Sequence, residues 1–281
     1  MKITPDMEKV LQFHANKGPS ISAIEVGERE QPRVPWRLPP MVWRPTASIP
    51  KRQFLYGKHY ARDFVSVTIG DGGIGKSALR LVEILSLATE RDLVGITPTE
   101  RVRCMYWNGD DPLVEVERRI HAVAQHFRID LEKLIGEGWL FIGTADEYPL
   151  LIGEMRNGAI SINPHAVSDI SSMIEDNGIG FAAFDPLKSL HRLPENSTTE
   201  IDAVADVFKE VAIRTHAAIA LDHHIRKPAQ GQTEATSNDG RGSNALVNKI
   251  RLSRVLNVMT PALAEQAGIS EDQRRFYFRA D

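Results

Sequence analysis

From Phe54 onward the chain alternates short apolar runs with stretches in which apolar residues recur every three or four positions. Short runs suit buried strands, and the longer spacing suits helices that lay one face on a sheet. FVSVTI at Phe64–Ile69 reads as the first strand of a core that begins near Phe54. Lys76–Glu90 follows as a helix with Leu79, Val82, Leu85 and Leu87 mostly on its inner side. Val102–Trp107 is the second strand. Pro112 begins the next helix, where its missing N–H is no loss, and Val116, Ile120, Val123 and Phe127 keep the helical spacing. Trp139–Ile142, Ile179–Phe184 (IGFAAF) and Ala217–Leu221 (AAIAL) read as further strands. Ala166–Asp176 and Ile201–Thr215 read as helices, the second with Val204, Val207, Phe208 and Val211 inward. The chain closes with strands at Ile250–Val258 and Arg274–Arg279 around a short helix near Pro261–Gln266. Asp146–Pro164, polar and glycine-containing, is expected to be a connecting excursion, and Lys227–Gly242 a long polar loop. This alternation predicts an α/β fold: a mostly parallel twisted sheet flanked by helices.

Before residue 50 the pattern changes. Pro32, Pro35, Pro39, Pro40, Pro45 and Pro50 forbid a continuous helix and predict an extended arm. Met7–Phe13 is expected to form one short helix ahead of it, without a core of its own. The expected organisation is a Pro-rich N-terminal arm over residues 1–50 and an α/β domain over residues 51–281. Whether the arm straps a neighbouring subunit or is a mobile tail stays open at this level.

Composition narrows the class. The chain has 281 residues, 42% of them hydrophobic and 25% charged, which fits a globular protein rather than a disordered or fibrous one. A formal net charge of −3 exerts no global pull on nucleic acid, so any DNA contact has to come from a local basic strip. Cys104 is the single cysteine, which excludes an internal disulfide and an all-cysteine metal cluster. A reducing cytoplasm is the expected location. MKITPDMEKV has no apolar stretch of the kind a signal peptide needs, and no run of about eighteen apolar residues suggests a membrane span.

The candidate chemistry starts at residues 70–77, GDGGIGKS, a GxxxxGK[ST] loop between a strand and a helix. Gly70, Asp71, Gly72, Gly73, Ile74, Gly75, Lys76, Ser77 and Ala78 are the expected phosphate cradle. The glycines let backbone N–H groups turn toward a β-phosphate, and the helix N-terminus adds positive dipole. Lys76 would bridge the β- and γ-phosphates, and the Ser77 hydroxyl would hold Mg²⁺, so ATP with Mg²⁺ is the expected ligand. A plain glycine-rich turn is the bland alternative, and the strand and helix on either side argue against it. Asp185 ends IGFAAF at the carboxyl edge of a buried strand, where a second magnesium partner belongs; taken alone, it reads equally as a turn-capping aspartate. His223 and His224 are adjacent on a strand and face opposite ways, which speaks against a shared metal ion.

Further segments stand in the order of a known family: FLYG at 54–57, VTIGDGGIGKS at 67–77, YWNGDDP at 106–112, FDPLKSLH at 184–191, DHHIRKP at 222–228, RGSNALVNKIR at 241–251 and EDQRRFYFR at 271–279. On these motifs the chain resembles the RepA-like branch of the RecA-type P-loop ATPases, which includes hexameric plasmid replicative helicases and related ATPases of phages and mobile elements. The resemblance covers roughly residues 50–279 and implies a RecA-like core and a homo-oligomer, in the first instance a hexamer, that hydrolyses ATP while acting on single-stranded DNA. It implies Asp110 as the acid that polarises the attacking water, where the family pattern has Glu. Aspartate is one methylene shorter, and a misplacement of about 1 Å can cost on the order of a hundredfold, so slow hydrolysis is one expectation. Asp111 is then expected to orient the loop or cap the helix begun by Pro112.

The same resemblance implies His224 as the γ-phosphate sensor and Arg251 as an arginine finger acting in trans, with Arg241 and Lys227 as rivals and a plain strand-surface arginine as the alternative for Arg251. Lys188, His191 and Arg192, with Arg226 and Lys227, would be the DNA-facing cations, although a few basic residues on loops are equally often just solvated. The family pattern continues past EDQRRFYFR with another strand, so the chain is expected to be either a natural short form or a core whose closing C-terminal strand is absent, which bears on ring assembly. Two other readings stand beside the motor: an ATP-dependent DNA-binding or regulatory switch with weak hydrolysis, and a small-molecule kinase, which lacks an evident arginine-rich lid.

Overall fold

A computed structural model describes residues 38–194, 198–224, 246, 249–274 and 277–280. The helix expected at Met7–Phe13 and the loop expected at Lys227–Gly242, with Arg226, Lys227 and Arg241, lie outside the described residues. The chain divides into two units between Ile49 and Pro50. In the first, Thr46–Ser48 forms a single 3₁₀ turn, and Leu38, Met41, Val42 and Trp43 are exposed.

The second unit is the α/β body. Its strands are β1 (Phe54–Tyr56), β2 (Tyr60–Ala61), β3 (Val65–Gly70), β4 (Arg103–Asn108), β5 (Leu140–Thr144), β6 (Gly153–Arg156), β7 (Ala159–Ile162), β8 (Ile179–Asp185), β9 (His191–Arg192), β10 (Ala218–His224), β11 (Leu252–Val258) and β12 (Phe278–Ala280). Its helices are α1 (Lys76–Thr89), α2 (Leu113–His126), α3 (Leu131–Gly136), α4 (Ala166–Asp176), α5 (Thr198–Thr215), α6 (Pro261–Gln266) and the single turn α7 (Glu271–Arg274). A seven-stranded sheet runs β12-β11-β3-β10-β8-β4-β5, parallel throughout except for β12, which pairs antiparallel with β11 at the edge. This is the expected fold, a RecA-like P-loop core.

Strand alternation divides the interior. Met105 and Trp107 face one layer, with Ile170 and Ile174 of α4 and Val204, Phe208 and Val211 of α5. Cys104 and Tyr106 face the other, with Leu81, Ile84 and Leu85 of α1, Val116 and Ile120 of α2, and Leu131 and Leu134 of α3. Both faces of the sheet are therefore covered, which is why its strands read as continuous apolar runs.

Several expectations change, among them the strand expected at Arg274–Arg279: Arg274 ends the turn α7, and the strand is Phe278–Ala280. Asp146–Pro164 folds in part as a β6–β7 hairpin, which joins β9 in a small three-stranded sheet. Asn157 and Gly158 at its tip both have positive φ, 51° and 78°, as a two-residue primed turn requires. The short helix α3 is capped by the Asp130 carboxylate on the Lys133 N–H, and its six residues are too few to show a helical period in the sequence. On α1 the fully buried face includes Arg80 and Glu83, while Leu79 and Val82 are only half-buried. Charge can occupy that face because opposite charge meets it from the sheet.

Candidate nucleotide site

Four neighbouring strands, β3, β10, β8 and β4, deliver their carboxyl ends to one place. Register sets the alignment: His224 lies beside Gly70, and Asn108 beside Asp185. The loop after β3 leads into α1 through Gly75, whose φ of 103° is left-handed and open to glycine at little cost. A cavity of about 320 Å³ lies at this edge. Gly73, Gly75, Lys76, Ser77 and Ala78 line one side, and Asp110, Asp111, Asp185 and His224 the other. Gly70, Asp71, Gly72 and Ile74 complete the turn behind them; the Asp71 carboxylate accepts from the Gly72 N–H at 2.8 Å.

Lys76 is buried. Its Nζ lies 2.9 Å from the Gly70 carbonyl oxygen, 2.8 Å from that of Asp71 and 3.3 Å from His224 Nδ1. An ammonium only donates, so Nδ1 accepts and the ring proton sits on Nε2. Burial lowers the Lys76 pKa from its ordinary value, against the opposing charges of Asp222, Asp185 and Asp71.

Asp185, buried at the end of β8, accepts from the Tyr106 hydroxyl at 2.8 Å and also pairs with the Ser77 side chain. Burial, and then the charge of Asp222, push its pKa up to about 6, while the bonds from Ser77 and Tyr106 pull the other way. Asp110 is exposed at the cavity wall, and its Oδ1 accepts from Ser189 Oγ at 2.7 Å.

The sequence motifs assign no role to several residues beside the cavity. Asn108 Nδ2 donates to the Tyr106 oxygen at 3.0 Å, while its Oδ1 accepts from the N–H groups of Asp110 and Asp111 at 3.0 and 2.7 Å. The Asn-Gly-Asp run is the signal for that turn. Arg119 reaches the cavity from α2 and clasps Asp111 through two nitrogens, at 2.7 and 3.3 Å, with Glu115 at 3.0 Å. Asp111 therefore does not cap α2. Pro112 holds the cap position without a side-chain bond, and the Asp111 carboxylate is committed to Arg119.

Two expected residues stand elsewhere. Arg251 precedes β11 and lines a separate cleft with Asp63, Phe64 and Val65, at the amino end of β3. The length of β3, about 17 Å at 3.3 Å per residue, separates it from the phosphate loop of its own chain. His191 is buried, and its Nδ1 accepts from the Leu193 N–H, so it is not presented to a ligand as the DNA-facing reading expected. Lys188 and Arg192 are exposed.

The donor set fits a magnesium ion. Mg²⁺ is commonly held by one or two protein oxygens, with phosphate and water completing an octahedron, and a hydroxyl beside a buried carboxylate supplies that share. Such a strand-loop-helix cradle, with a lysine and a carboxylate facing it across a parallel sheet, defines a P-loop nucleoside triphosphatase. The chain belongs to the AAA domain family, whose model matches residues 32–230. Among the described residues no helix is long and apolar enough to cross a membrane.

Proposed function

We propose that the protein is a Mg²⁺-dependent ATPase of the RepA-like branch, working as a homo-oligomer, in the first instance a hexamer, that couples hydrolysis to movement on single-stranded DNA of a plasmid, phage or other mobile element. The observation that carries this reading is the convergence of Lys76, Ser77, Asp110, Asp185 and His224 on one cavity from four adjacent strands. Backbone N–H groups of the loop and the N-terminus of α1 meet the β-phosphate, and Lys76 exchanges its two carbonyl partners for phosphate oxygens. Ser77 and Asp185 would hold magnesium, which when bound would neutralise negative charge on the phosphates. Asp110 accepts a hydrogen bond from the attacking water, whose oxygen bonds to the γ-phosphorus as the bond to the β-γ bridging oxygen breaks; the electron pair leaves with ADP and the water proton ends on the released phosphate. His224, beside Lys76, reports the γ-phosphate to the chain beyond β10.

Arg251 stands at the amino end of β3, away from the phosphate loop of its own chain, so a finger role for it would be on a neighbouring subunit; a plain surface arginine is the alternative. Mixing Arg251→Ala with Lys76→Ala subunits tests this, since mixed assemblies contain sites with both groups intact. No recovery of activity in mixtures that assemble would remove the trans role.

The decisive measurement is the ATPase rate with and without single-stranded DNA, alongside Lys76→Ala. Stimulation by DNA, lost in Lys76→Ala, supports the motor. Nucleotide binding without turnover would leave the switch, a reading favoured by the short side chain of Asp110. Transfer of phosphate to a metabolite would revive the kinase.

A further inference from the structure

Asp110 is exposed, and an exposed carboxylate on a loop ordinarily samples several rotamers. Here the surrounding structure restrains it. The Asp110 N–H is fixed by Asn108 Oδ1 at 3.0 Å, and the preceding Gly109 N–H donates to the Asp185 carbonyl oxygen at 2.8 Å. The 3₁₀ turn at Leu187–Leu190 approaches from the other side, anchored by the buried Leu187 and Leu190 and by the Ile152 N–H on the Leu190 carbonyl at 2.7 Å. Half-buried Ser189 on that turn donates its hydroxyl to Asp110 Oδ1 at 2.7 Å. The approach is so close that a Cβ at residue 109 would stand 2.2 Å from the Ser189 Cβ, so glycine there is a condition of the contact.

We infer that Ser189 is a positioning residue for the hydrolytic step: it holds one oxygen of Asp110 and leaves the other to meet the attacking water at the cavity wall. This inference rests on the ATPase reading and on Asp110 as its acid. It gives the aspartate a means of acting at a position where the related pattern has a longer glutamate, because a fixed carboxylate loses less to disorder than a free one. Ser189 itself touches no reacting atom.

The test is steady-state ATP hydrolysis by the full chain carrying Ser189→Ala, Ser189→Thr, Asp110→Asn and the double variant Ser189→Ala/Asp110→Asn. Ser189→Ala is expected to lower kcat about tenfold, less than the loss from an ångström of misplacement, with KM unchanged within about twofold. Ser189→Thr, which keeps the hydroxyl, restores most of the rate. In the Asp110→Asn background Ser189→Ala costs nothing further. As a readout apart from turnover, affinity for ADP with aluminium fluoride falls in Ser189→Ala by a factor similar to kcat, while affinity for a non-hydrolysable ATP analogue does not.

An unchanged or raised kcat in Ser189→Ala overturns the inference, as does an equal further loss in the Asp110→Asn background. Because threonine carries an extra methyl toward Gly109, the double variant decides if Ser189→Thr unfolds. The two readings fail separately. Turnover in the unaltered chain, abolished by Lys76→Ala but indifferent to Ser189→Ala, removes only the role of Ser189; no nucleotide binding by the unaltered chain removes the ATPase reading and this one with it.

Discussion

Arg80 of α1 grips Asp222 of β10 with two nitrogens, Nε to Oδ2 at 3.0 Å and Nη2 to Oδ1 at 2.8 Å, and both side chains are fully buried. The pair is part of a larger network. Glu83 bonds Arg80, Arg254 of β11 and the Tyr60 hydroxyl, and Thr68 of β3 accepts from both arginines. This network locks the helix that carries Lys76 against the strand that carries His224. Arg80→Ala leaves Asp222 as an uncompensated buried charge and is expected to destabilise the fold by about 3–5 kcal/mol. Chemical denaturation checks this, and Arg80→Met/Asp222→Leu, which removes both charges, should recover a substantial part of the loss. A double variant as unstable as Arg80→Ala would count against the charge argument.

Ligand binding to the folded state alone raises stability by mass action, by about 2.7 kcal/mol at a hundred times the dissociation constant. Mg·ATP is therefore expected to raise the melting temperature of the unaltered chain. In Lys76→Ala the increment should disappear, because the buried ammonium is the cation placed to meet the phosphates. An undiminished shift in Lys76→Ala would place the nucleotide elsewhere.

Asp185 makes the nucleotide-free fold sensitive to pH. Its pKa in the fold, about 6, lies above the ordinary carboxylate value, so the folded state holds the proton more tightly than the unfolded chain. The resulting stability is complete below the unfolded pKa and is lost as pH rises through about 6. Asp185→Asn removes the buried charge and is expected to raise the melting temperature at pH 8, with an upper bound of about 3 kcal/mol, and to have little effect near pH 4. The same substitution should weaken Mg·ATP binding. Paired melting curves with and without nucleotide at the two pH values separate these effects; a stability gain that does not grow with pH would contradict the burial argument.

Gly75→Ala is expected to cost about 1–3 kcal/mol, because residue 75 sits at φ 103° where an alanine is strained. Neighbouring Gly72 gives the contrast, since it lacks a positive φ and a Cβ there would meet no atom within 4 Å. Thermal melts of the two alanine variants should therefore diverge, with Gly72→Ala close to the unaltered chain in stability. Equal melting temperatures would mean that the loop relaxes around Gly75 without cost.

The hairpin at Asn157-Gly158 has a signal in the sequence, since Asn-Gly between short β-prone segments marks a turn, but the polar character of residues 146–164 masks the strands beside it. The run of strand β10 into Asp222, His223 and His224 was legible only in part: the histidine pair reads as strand, but three polar residues end the apolar pattern that marks one. Only pairing with β3 along its whole length keeps them in the sheet.

By itself the sequence determined the layered α/β class, the phosphate loop and the strand-ending carboxylate, since each is written in contiguous residues whose spacing dictates local backbone form. Tertiary structure decided which of them meet. Arg80 and Asp222 are 142 positions apart, Asp110 and Ser189 are 79 apart, and the order of strands across the sheet brings each pair together. It likewise withdrew His191 into the interior and carried Arg251 to the opposite edge. Burial and long-range pairing depend on how elements pack, and no local period of apolar and polar residues encodes that.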